Sequence, residues 1–255
     1  MPLFKAADRL VYYAHVPKCG GSAIAYYLID RFGPLGFYDS FYHDRPDETP
    51  WTRTSPQHVD VRALETLLPA RFFDAMFAVV RHPVPRTVST YHFQREVEKR
   101  IPDETSFSEW LKGLEDKGTP RFEYDNHVLP MDQLVPEGAT IFHLEHGLDG
   151  LVHWCDLLTG RKDGPRAVTP ENARGMLVDV KSEKAIPTEE DIARIGRIYD
   201  ADFERFGYTL DRRDPSTPPP ELTEAFLAER DRALDTMQRP VFRLKRWIRR
   251  RLQRV

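Results

Sequence analysis

The chain contains few cysteines and no long run of apolar residues. Cys19 and Cys155 are the only cysteines among 255 residues, too few for a disulfide framework or a zinc site built from cysteines. No segment reaches the roughly 20 consecutive apolar residues that a membrane-spanning helix needs, and the first residues do not resemble a signal peptide. These shortages predict a cytoplasmic location.

The charge of the chain is distributed unevenly. The net charge of −3 combines a basic C-terminal tail, Arg239–Val255, which has eight basic and no acidic residues, with 29 basic against 40 acidic residues elsewhere. The acidic body argues against general binding of nucleic acid. Apolar residues recur in the basic tail at the spacing of one helix face, at Val241, Leu244, Ile248, Leu252 and Val255. The basic tail is therefore predicted to form an amphipathic helix that lies on an anionic membrane surface, with packing against the acidic body, a second subunit or a partner protein as the alternative.

Predicted strands and helices alternate along most of the chain. Buried strands are predicted at Leu10–His15, Ala75–Val80 and Thr140–Leu144. A helix follows each strand, and the helices are predicted at Ser22–Phe32, Val59–Leu68, Pro83–Lys99, Ser106–Glu115, Gly147–Thr159 and Thr188–Phe206. This alternation predicts an α/β fold in which helices flank a mainly parallel central sheet, in the layered manner of P-loop proteins.

Composition divides the chain into three parts. Residues 1–210 hold all the predicted strands and are predicted to form a catalytic domain. The proline-rich segment 211–220 is the predicted linker. Residues 221–255 are predicted to form a helical extension that ends in the basic tail.

The stretch "HVPKCGGSA" forms the predicted turn between the first strand and its helix. Two adjacent glycines, Gly20 and Gly21, allow the backbone N–H groups at the start of the helix to approach an anion closely. Lys18 adds a positive charge and Ser22 a hydroxyl donor, which is the chemistry of a phosphate site. The lysine precedes the glycines, so the turn is not a Walker A loop, and Ala25 stands where a tyrosine phosphatase needs arginine. A structural turn with a solvated lysine remains the alternative.

A second polar motif, "VVRHPVPRTVSTY", follows the second predicted strand. Arg81 ends the strand and offers a planar fork for phosphate oxygens, and Ser89 adds a neutral donor about two helical turns further on. The two residues converge on one phosphate only if the turn between strand and helix folds back. A helix start with arginines on its exposed face is the alternative.

Taken together, the two motifs resemble the nucleotide-binding signatures of sulfotransferases that use 3′-phosphoadenosine 5′-phosphosulfate. "HVPKCGGSAI" resembles the 5′-phosphosulfate loop of that family, and "VVRHPVPRTVSTY" resembles its 3′-phosphate site, in the same order and at a matching separation. "SPQHVDVRAL" and "IYDADFERFGYT" resemble the carbohydrate-type branch, which includes uronyl 2-O and related bacterial sulfotransferases. The resemblance implies transfer of a sulfuryl group to a hydroxyl of a carbohydrate or lipid-linked glycan, without a metal ion.

The resemblance also implies a role for each matching position. Lys18 contacts the 5′-phosphosulfate and its bridging oxygen, whereas Arg81 and Ser89 hold the 3′-phosphate. The backbone that cradles the 5′-phosphosulfate runs through Cys19, Gly20, Gly21, Ser22 and Ala23. Position 19 is often threonine in this family, so Cys19 is expected to pack and not to act as a covalent nucleophile. A cover over the adenine or phosphate is expected from Lys181, Ser182 or Lys184.

Sulfuryl transfer also needs a base that takes the proton of the acceptor hydroxyl, and histidine suits neutral pH. His58 follows a long polar loop and precedes a helix, in the interval where the carbohydrate branch places a catalytic histidine. We predict His58 as the base, with His43 in reserve, and expect His15 and His82 to orient loops or pack. A histidine that merely neighbours a helix start is the alternative.

The acceptor site is predicted from polar and aromatic residues of the same loop. Rings that stack and arginines that bind carboxylates would suit an acidic glycan, and the candidates are Tyr42, Arg45, Trp51, Arg53 and Gln57. Ordinary loop residues are the alternative for each of them. The segment Asp125–Pro136 is predicted to form the opposite wall of the cleft. Two other functions remain open, a nucleotide-dependent phosphotransferase of related fold and a non-catalytic protein that binds nucleotide or glycan.

Overall fold

A four-stranded sheet forms the centre of the computed structural model, which describes residues 1–42, 51–169 and 183–238. The strands lie in the order in which they occur along the chain: β1 (Leu3–Ala6), β2 (Arg9–Ala14), β3 (Ala75–Val80) and β4 (Thr140–His143). β2, β3 and β4 run parallel, and β1 pairs antiparallel with β2. The predicted α/β fold with a mainly parallel sheet is therefore confirmed.

β1 is a strand that the sequence pattern did not predict. It has only four residues, with partly buried, buried and exposed positions mixed, so its pattern is too short to stand out. Its pairing brings Ala6 opposite Arg9 across a tight turn in which Ala7 has a positive φ of 58°. β1 thus adds an antiparallel edge to the parallel strands.

Eight helices surround the sheet in the described part of the chain. They are α1 (Gly21–Phe32), α2 (Val61–Leu67), α3 (Pro83–Glu96), α4 (Phe107–Lys117), α5 (Asp149–Thr159), α6 (Glu189–Ile198), α7 (Asp200–Phe206) and α8 (Glu224–Gln238). The capping boxes of Ser106 with Glu109 and of Thr188 with Asp191 both form at the helix starts. The helix predicted over Thr188–Phe206 is two helices, because Tyr199 leaves helical geometry between α6 and α7.

Apolar side chains fill the space on both faces of the sheet. Since successive side chains of a strand point to opposite faces, β2 contributes Tyr12 and Ala14 to one cluster and Val11 and Tyr13 to the other. The first cluster includes side chains of the segment Leu129–Val135 and of α7, and the second includes side chains of α1, α5 and α8. Burial on both faces explains why β2 and β3 read as continuous apolar runs.

The C-terminal helix α8 packs against the body of the protein. Phe226 is buried in the same cluster as α1 and α5, and Arg230 forms an ion pair with Asp149 at the start of α5. The proposed division into a catalytic domain, a linker and an extension stays a prediction. The basic tail lies outside the described residues. Within the described ranges, none of the helices is long and apolar enough to cross a membrane.

Candidate active site

The turn between β2 and α1 exposes backbone donors at a helix start. Gly20 is the N-cap residue of α1 and has a φ of 82°, which favours glycine, and it has no side chain to cap the first turn. Gly21 lies so close to His15 that a Cβ atom there would collide with the imidazole ring. Glycine at both positions therefore leaves the helix start accessible to an anion.

Lys18 projects from this turn into a largely desolvated position. Its φ of 66° is left-handed, which costs a residue other than glycine about 1 kcal/mol. Its Nζ atom lies 3.7 Å from the centroid of the Phe93 ring on α3. Burial, and then repulsion by Arg81, lower the pKa of Lys18 to about 8. A cation held in such a place gains strongly from an anionic ligand, because the surrounding water is scarce.

The second motif converges on the first. Arg81 follows β3 directly, and its Nη1 atom donates a hydrogen bond to the carbonyl oxygen of Lys18 at 3.3 Å. Ser89 lies on α3 and is half-buried, and its hydroxyl has no hydrogen-bond partner among the described residues. The parallel pairing of β2 with β3 brings the ends of both strands to one sheet edge, where doubly wound folds bind their ligands.

Arg86 links the two motifs from inside the protein. This structural role was not predicted from the sequence. It is fully buried, with 1% of its surface exposed. Its Nε atom donates to the Pro17 carbonyl at 3.3 Å, and Nη2 donates to the carbonyls of His127 and Leu129 at 3.3 and 2.8 Å. The alternative of a helix start with exposed arginines is thus wrong for Arg86. This guanidinium holds the Lys18 turn against the segment that follows Asn126.

Cys19 has the properties of a packing residue. Its side chain is buried, and Sγ lies 3.6 Å from the carbonyl oxygen of Pro17. Burial raises the pKa of the Cys19 thiol to about 12, so the thiol stays protonated at neutral pH. This environment favours packing over a covalent role.

His58 is held by a buried carboxylate. Its Nδ1 atom lies 2.6 Å from Oδ2 of Asp125, and the Ser55 hydroxyl donates to the same oxygen at 2.6 Å. The Nε2 atom of His58 is buried and has no hydrogen-bond partner among the described residues. Because a carboxylate can only accept, Nδ1 carries a proton, and the lone pair of the neutral ring is then on Nε2. This is the arrangement that a general base requires.

The segment that carries Asp125 is held in an unfavourable backbone geometry. Phe122, Tyr124, Asp125 and Asn126 all have positive φ values, of 76°, 49°, 57° and 61°. Each such residue costs on the order of 1 kcal/mol, so tertiary contacts must compensate. The Ser55 N–H donates to Oδ1 of Asp125 at 2.6 Å, and the Asn126 amide donates to the His58 carbonyl at 2.8 Å. Strain of this kind is concentrated at functional sites.

Asp125 remains ionised in this position. Burial by itself would raise the pKa of Asp125, but the neighbouring His58 and its hydrogen bond outweigh burial and hold the pKa below its ordinary value of 3.8. Sequence reasoning placed Asp125 only in the opposite wall of the cleft. Its closeness to a second histidine, His127, in "DNH" was the available signal.

Three histidines form a cluster at this edge of the sheet. The ring centroids of His15 and His127 lie 4.9 and 5.0 Å from that of His58. Burial, and next the neighbouring His58, lower the pKa of both flanking histidines well below the ordinary value, so both are neutral at pH 7. Within the described ranges, no group of side chains has the geometry of a metal site.

The family comparison agrees with this geometry. The family model described as "Sulfotransferase family" matches residues 2–209, which is most of the chain. The chain belongs to the sulfotransferase family. Comparisons with curated proteins and with solved structures gave no significant match.

His82 of this sulfotransferase orients the second motif, as expected. Its Nδ1 atom accepts from the Val84 N–H at 3.1 Å at the start of α3, and its Nε2 atom bonds to the Thr209 carbonyl at 3.0 Å. The His82 N–H donates to Glu145, which also accepts from Tyr208. This network ties the start of α3 to the segment after α7.

The loop before His58 places aromatic side chains at the surface of this sulfotransferase. The Gln57 side chain exchanges two hydrogen bonds of 3.1 Å with the backbone of Asp39. Trp51 is 61% exposed and packs edge-on against Tyr42. The Arg53 guanidinium lies 4.1 Å above the Phe122 ring. His43 and Arg45 lie outside the described residues.

The segment predicted to cover the nucleotide contacts α3. Lys181 and Ser182 lie outside the described residues, whereas Lys184 is exposed. The next residue, Ala185, donates its N–H to Nε2 of His92 on α3 at 3.0 Å. Lys184 therefore lies near the helix that carries Ser89.

Proposed function

We propose that the protein transfers a sulfuryl group from 3′-phosphoadenosine 5′-phosphosulfate to a hydroxyl of a carbohydrate or glycan-like acceptor. The observation that carries this proposal is the unpartnered Nε2 atom of His58, whose ring is linked through His127 and Phe93 to Lys18. A base with its lone pair free, beside a desolvated lysine and an open helix start, meets the requirements of the reaction.

The donor would lie across the ends of β2 and β3. Lys18 and the backbone from Cys19 to Ala23 would hold the 5′-phosphosulfate, and Arg81 and Ser89 the 3′-phosphate. The hydrogen bond from Arg81 to the Lys18 carbonyl supports this placement, because it fixes the spacing of the two phosphate sites. Arg86 supports the same geometry from inside the protein.

The reaction is an in-line displacement at sulfur. Nε2 of His58 takes the proton of the acceptor hydroxyl, and the acceptor oxygen forms a new bond to sulfur. The bond from sulfur to the bridging oxygen breaks, and its electron pair stays on the 5′-phosphate. Lys18 stabilises the charge that develops on this leaving oxygen. Asp125 stabilises the protonated ring of His58.

The acceptor class rests on the loop that precedes His58. Trp51 offers an exposed ring for stacking on a sugar, and Arg53 offers an exposed guanidinium for an acidic group. Gln57, which precedes the base, bonds to the backbone of Asp39 at the other end of this loop. A carbohydrate with acidic substituents fits these side chains best.

Calorimetry and a transfer assay together test the proposal. The protein should bind adenosine 3′,5′-bisphosphate and should not bind ATP, because only the first carries the 3′-phosphate that Arg81 and Ser89 would hold. Transfer of labelled sulfate from the donor should then be measured to a panel of acidic and neutral polysaccharides.

His58→Ala and a control on α5, His153→Ala, complete this experiment. The first should lose about 100- to 10,000-fold in turnover with unchanged affinity for the bisphosphate, and the second should lose nothing. Binding of ATP in preference to the bisphosphate would instead support a phosphotransferase. Binding of the bisphosphate without transfer to any polysaccharide would argue for another acceptor class or for a non-catalytic protein.

A further inference from the structure

The His127 ring packs against His58 and against Phe93, the ring over which Lys18 lies. Its ring centroid lies 5.0 Å from that of His58 and 5.2 Å from that of Phe93. The Nζ atom of Lys18 lies over the same Phe93 ring, at 3.7 Å from its centroid. In an in-line displacement, the sulfur atom must lie between the base and the group that stabilises the leaving oxygen. His127 therefore lies beside the path of the transferred group.

Every polar atom of His127 but one is already bonded. Its N–H donates to the Tyr124 carbonyl at 3.0 Å, and its carbonyl accepts from Arg86 and Thr90 at 3.3 and 3.4 Å. The Gln94 amide nitrogen donates to Nδ1 at 2.6 Å. Within the described residues, Nε2 has no partner. Only 7% of the residue is exposed, but Nε2 itself retains access to solvent and is therefore open to a ligand.

The orientation of the Gln94 amide sets which ring nitrogen carries the proton. With the amide nitrogen facing the ring, Nδ1 of His127 accepts and Nε2 carries the hydrogen, and the Gln94 amide oxygen is buried without a partner among the described residues. Burial, and then the neighbouring His58 and Lys18, keep the pKa of His127 well below its ordinary value. The ring is therefore neutral and presents an N–H donor, the opposite of His58, which presents a lone pair.

We propose that His127 is a further catalytic residue, whose Nε2–H donates a hydrogen bond to a non-bridging oxygen of the sulfuryl group. This proposal rests on the proposed function of the site. The negative charge of the transferred group is spread over its three non-bridging oxygens, and a fixed donor stabilises that charge. His127 gains and loses no proton in the reaction, since the acceptor proton goes to His58 and the bond electrons go to the leaving oxygen.

The rigid setting of His127 supports a catalytic donor over a packing role. Its backbone is fixed by Arg86, which also bonds to the Pro17 carbonyl in the Lys18 turn. The donor and the turn that holds the 5′-phosphosulfate are thus anchored to one buried side chain. A preorganised donor of this kind needs no rearrangement as charge develops.

The test compares binding of the intact donor with binding of the bisphosphate product, by calorimetry without acceptor. The two ligands differ by the sulfuryl group alone, so a contact with that group changes the ratio of their affinities. We expect His127→Ala to weaken the donor about tenfold relative to the product, as for loss of one hydrogen bond to a charged group. His127→Gln, which keeps an N–H donor and most of the volume, should lose less, and His153→Ala should leave the ratio unchanged.

Three results would overturn the proposal. An unchanged ratio in His127→Ala would exclude the contact. An equal loss of both ligands, in both variants at position 127, would indicate that His127 only supports the fold. A wild-type protein that binds neither ligand would refute the proposed function and the role of His127 with it, whereas normal wild-type binding of both ligands confines a failure to His127.

Discussion

Asp125→Asn removes the negative charge beneath His58 with almost no change in shape. In the native site, Oδ2 of Asp125 accepts from the Ser55 hydroxyl and from Nδ1 of His58, and Oδ1 accepts from the Ser55 N–H. An amide cannot accept at both positions. If its nitrogen faces His58, Nδ1 must become the acceptor and Nε2 takes the proton, which removes the lone pair. If its nitrogen faces the Ser55 N–H, two donors oppose each other.

The expected loss of turnover in Asp125→Asn follows from the role of His58 as the base. Loss of the lone pair on Nε2 removes general-base catalysis, so turnover should fall by about 100- to 10,000-fold. The affinity for adenosine 3′,5′-bisphosphate should stay within about threefold, because the described hydrogen bonds of Asp125 go to Ser55 and His58 and not to residues proposed to hold the nucleotide. The unfolding free energy should fall by about 2 kcal/mol, since hydrogen bonds to a buried charge are replaced by weaker ones.

The assay is single-turnover transfer at saturating donor, with calorimetry for the bisphosphate. Asp116→Asn is the matched control, because Asp116 is an exposed residue of α4. Turnover of Asp125→Asn within about threefold of wild type, in a folded protein, would refute the proposed tautomer and with it the assignment of His58 as the base.

The depressed pKa of Asp125 predicts a dependence of stability on pH. A carboxyl group whose pKa is lower in the folded state than in the unfolded state stabilises the fold above the unfolded pKa, here 3.8. That contribution is lost as the pH falls through and below this value. Wild type should therefore lose more unfolding free energy than Asp125→Asn between neutral pH and about pH 3, measured by urea denaturation. Equal losses would contradict the lowered pKa.

Four further predictions concern other parts of the molecule. Lys18→Ala should lower turnover about 100-fold or more at saturating donor, since the leaving oxygen loses its cation, and near-normal turnover would refute this role. Arg86→Met should lower the unfolding free energy by about 3 kcal/mol or more in urea denaturation, because three carbonyl oxygens lose their donor. Cys19→Ser should keep most of its activity, and inactivation would restore a thiol mechanism. If the basic tail binds anionic membranes, the full chain should co-sediment with anionic liposomes and a chain that ends at Gln238 should not, and equal sedimentation of both would exclude a membrane role for the basic tail. This truncation keeps α8, whose Phe226 is part of the core.

Local signals in the sequence predicted most secondary structure correctly. The strand Ala75–Val80 has the predicted bounds, because the run of apolar residues begins and ends with the strand. The start of α4 was predicted from the capping box of Ser106 and Glu109, two residues that are only three positions apart in the sequence. Such signals depend on neighbours within one turn of helix or on strand alternation, so they need no tertiary information.

Long-range contacts explain the predictions that failed. A single helix over Thr188–Phe206 was wrong because the Tyr199 hydroxyl bonds to the Val128 carbonyl at 3.0 Å, and this buried contact outweighs helix propensity. Arg86 was left among exposed arginines because its three acceptors belong to other segments. Nothing within a helical turn of either residue indicates these partners.

The sequence by itself determined the fold class, the family and the glycine-rich turn that carries Lys18, because each is encoded in residues a few positions apart. It also marked His58 as a candidate, through its place between the two motifs. Only the tertiary structure joined His58 to Asp125, across a separation of 67 residues, and brought the His127 ring into contact with His58. The tautomer of His58 and the neutral state of His127 depend on distances of a few ångströms and on the exclusion of water. Only the folded chain sets these distances and excludes the water.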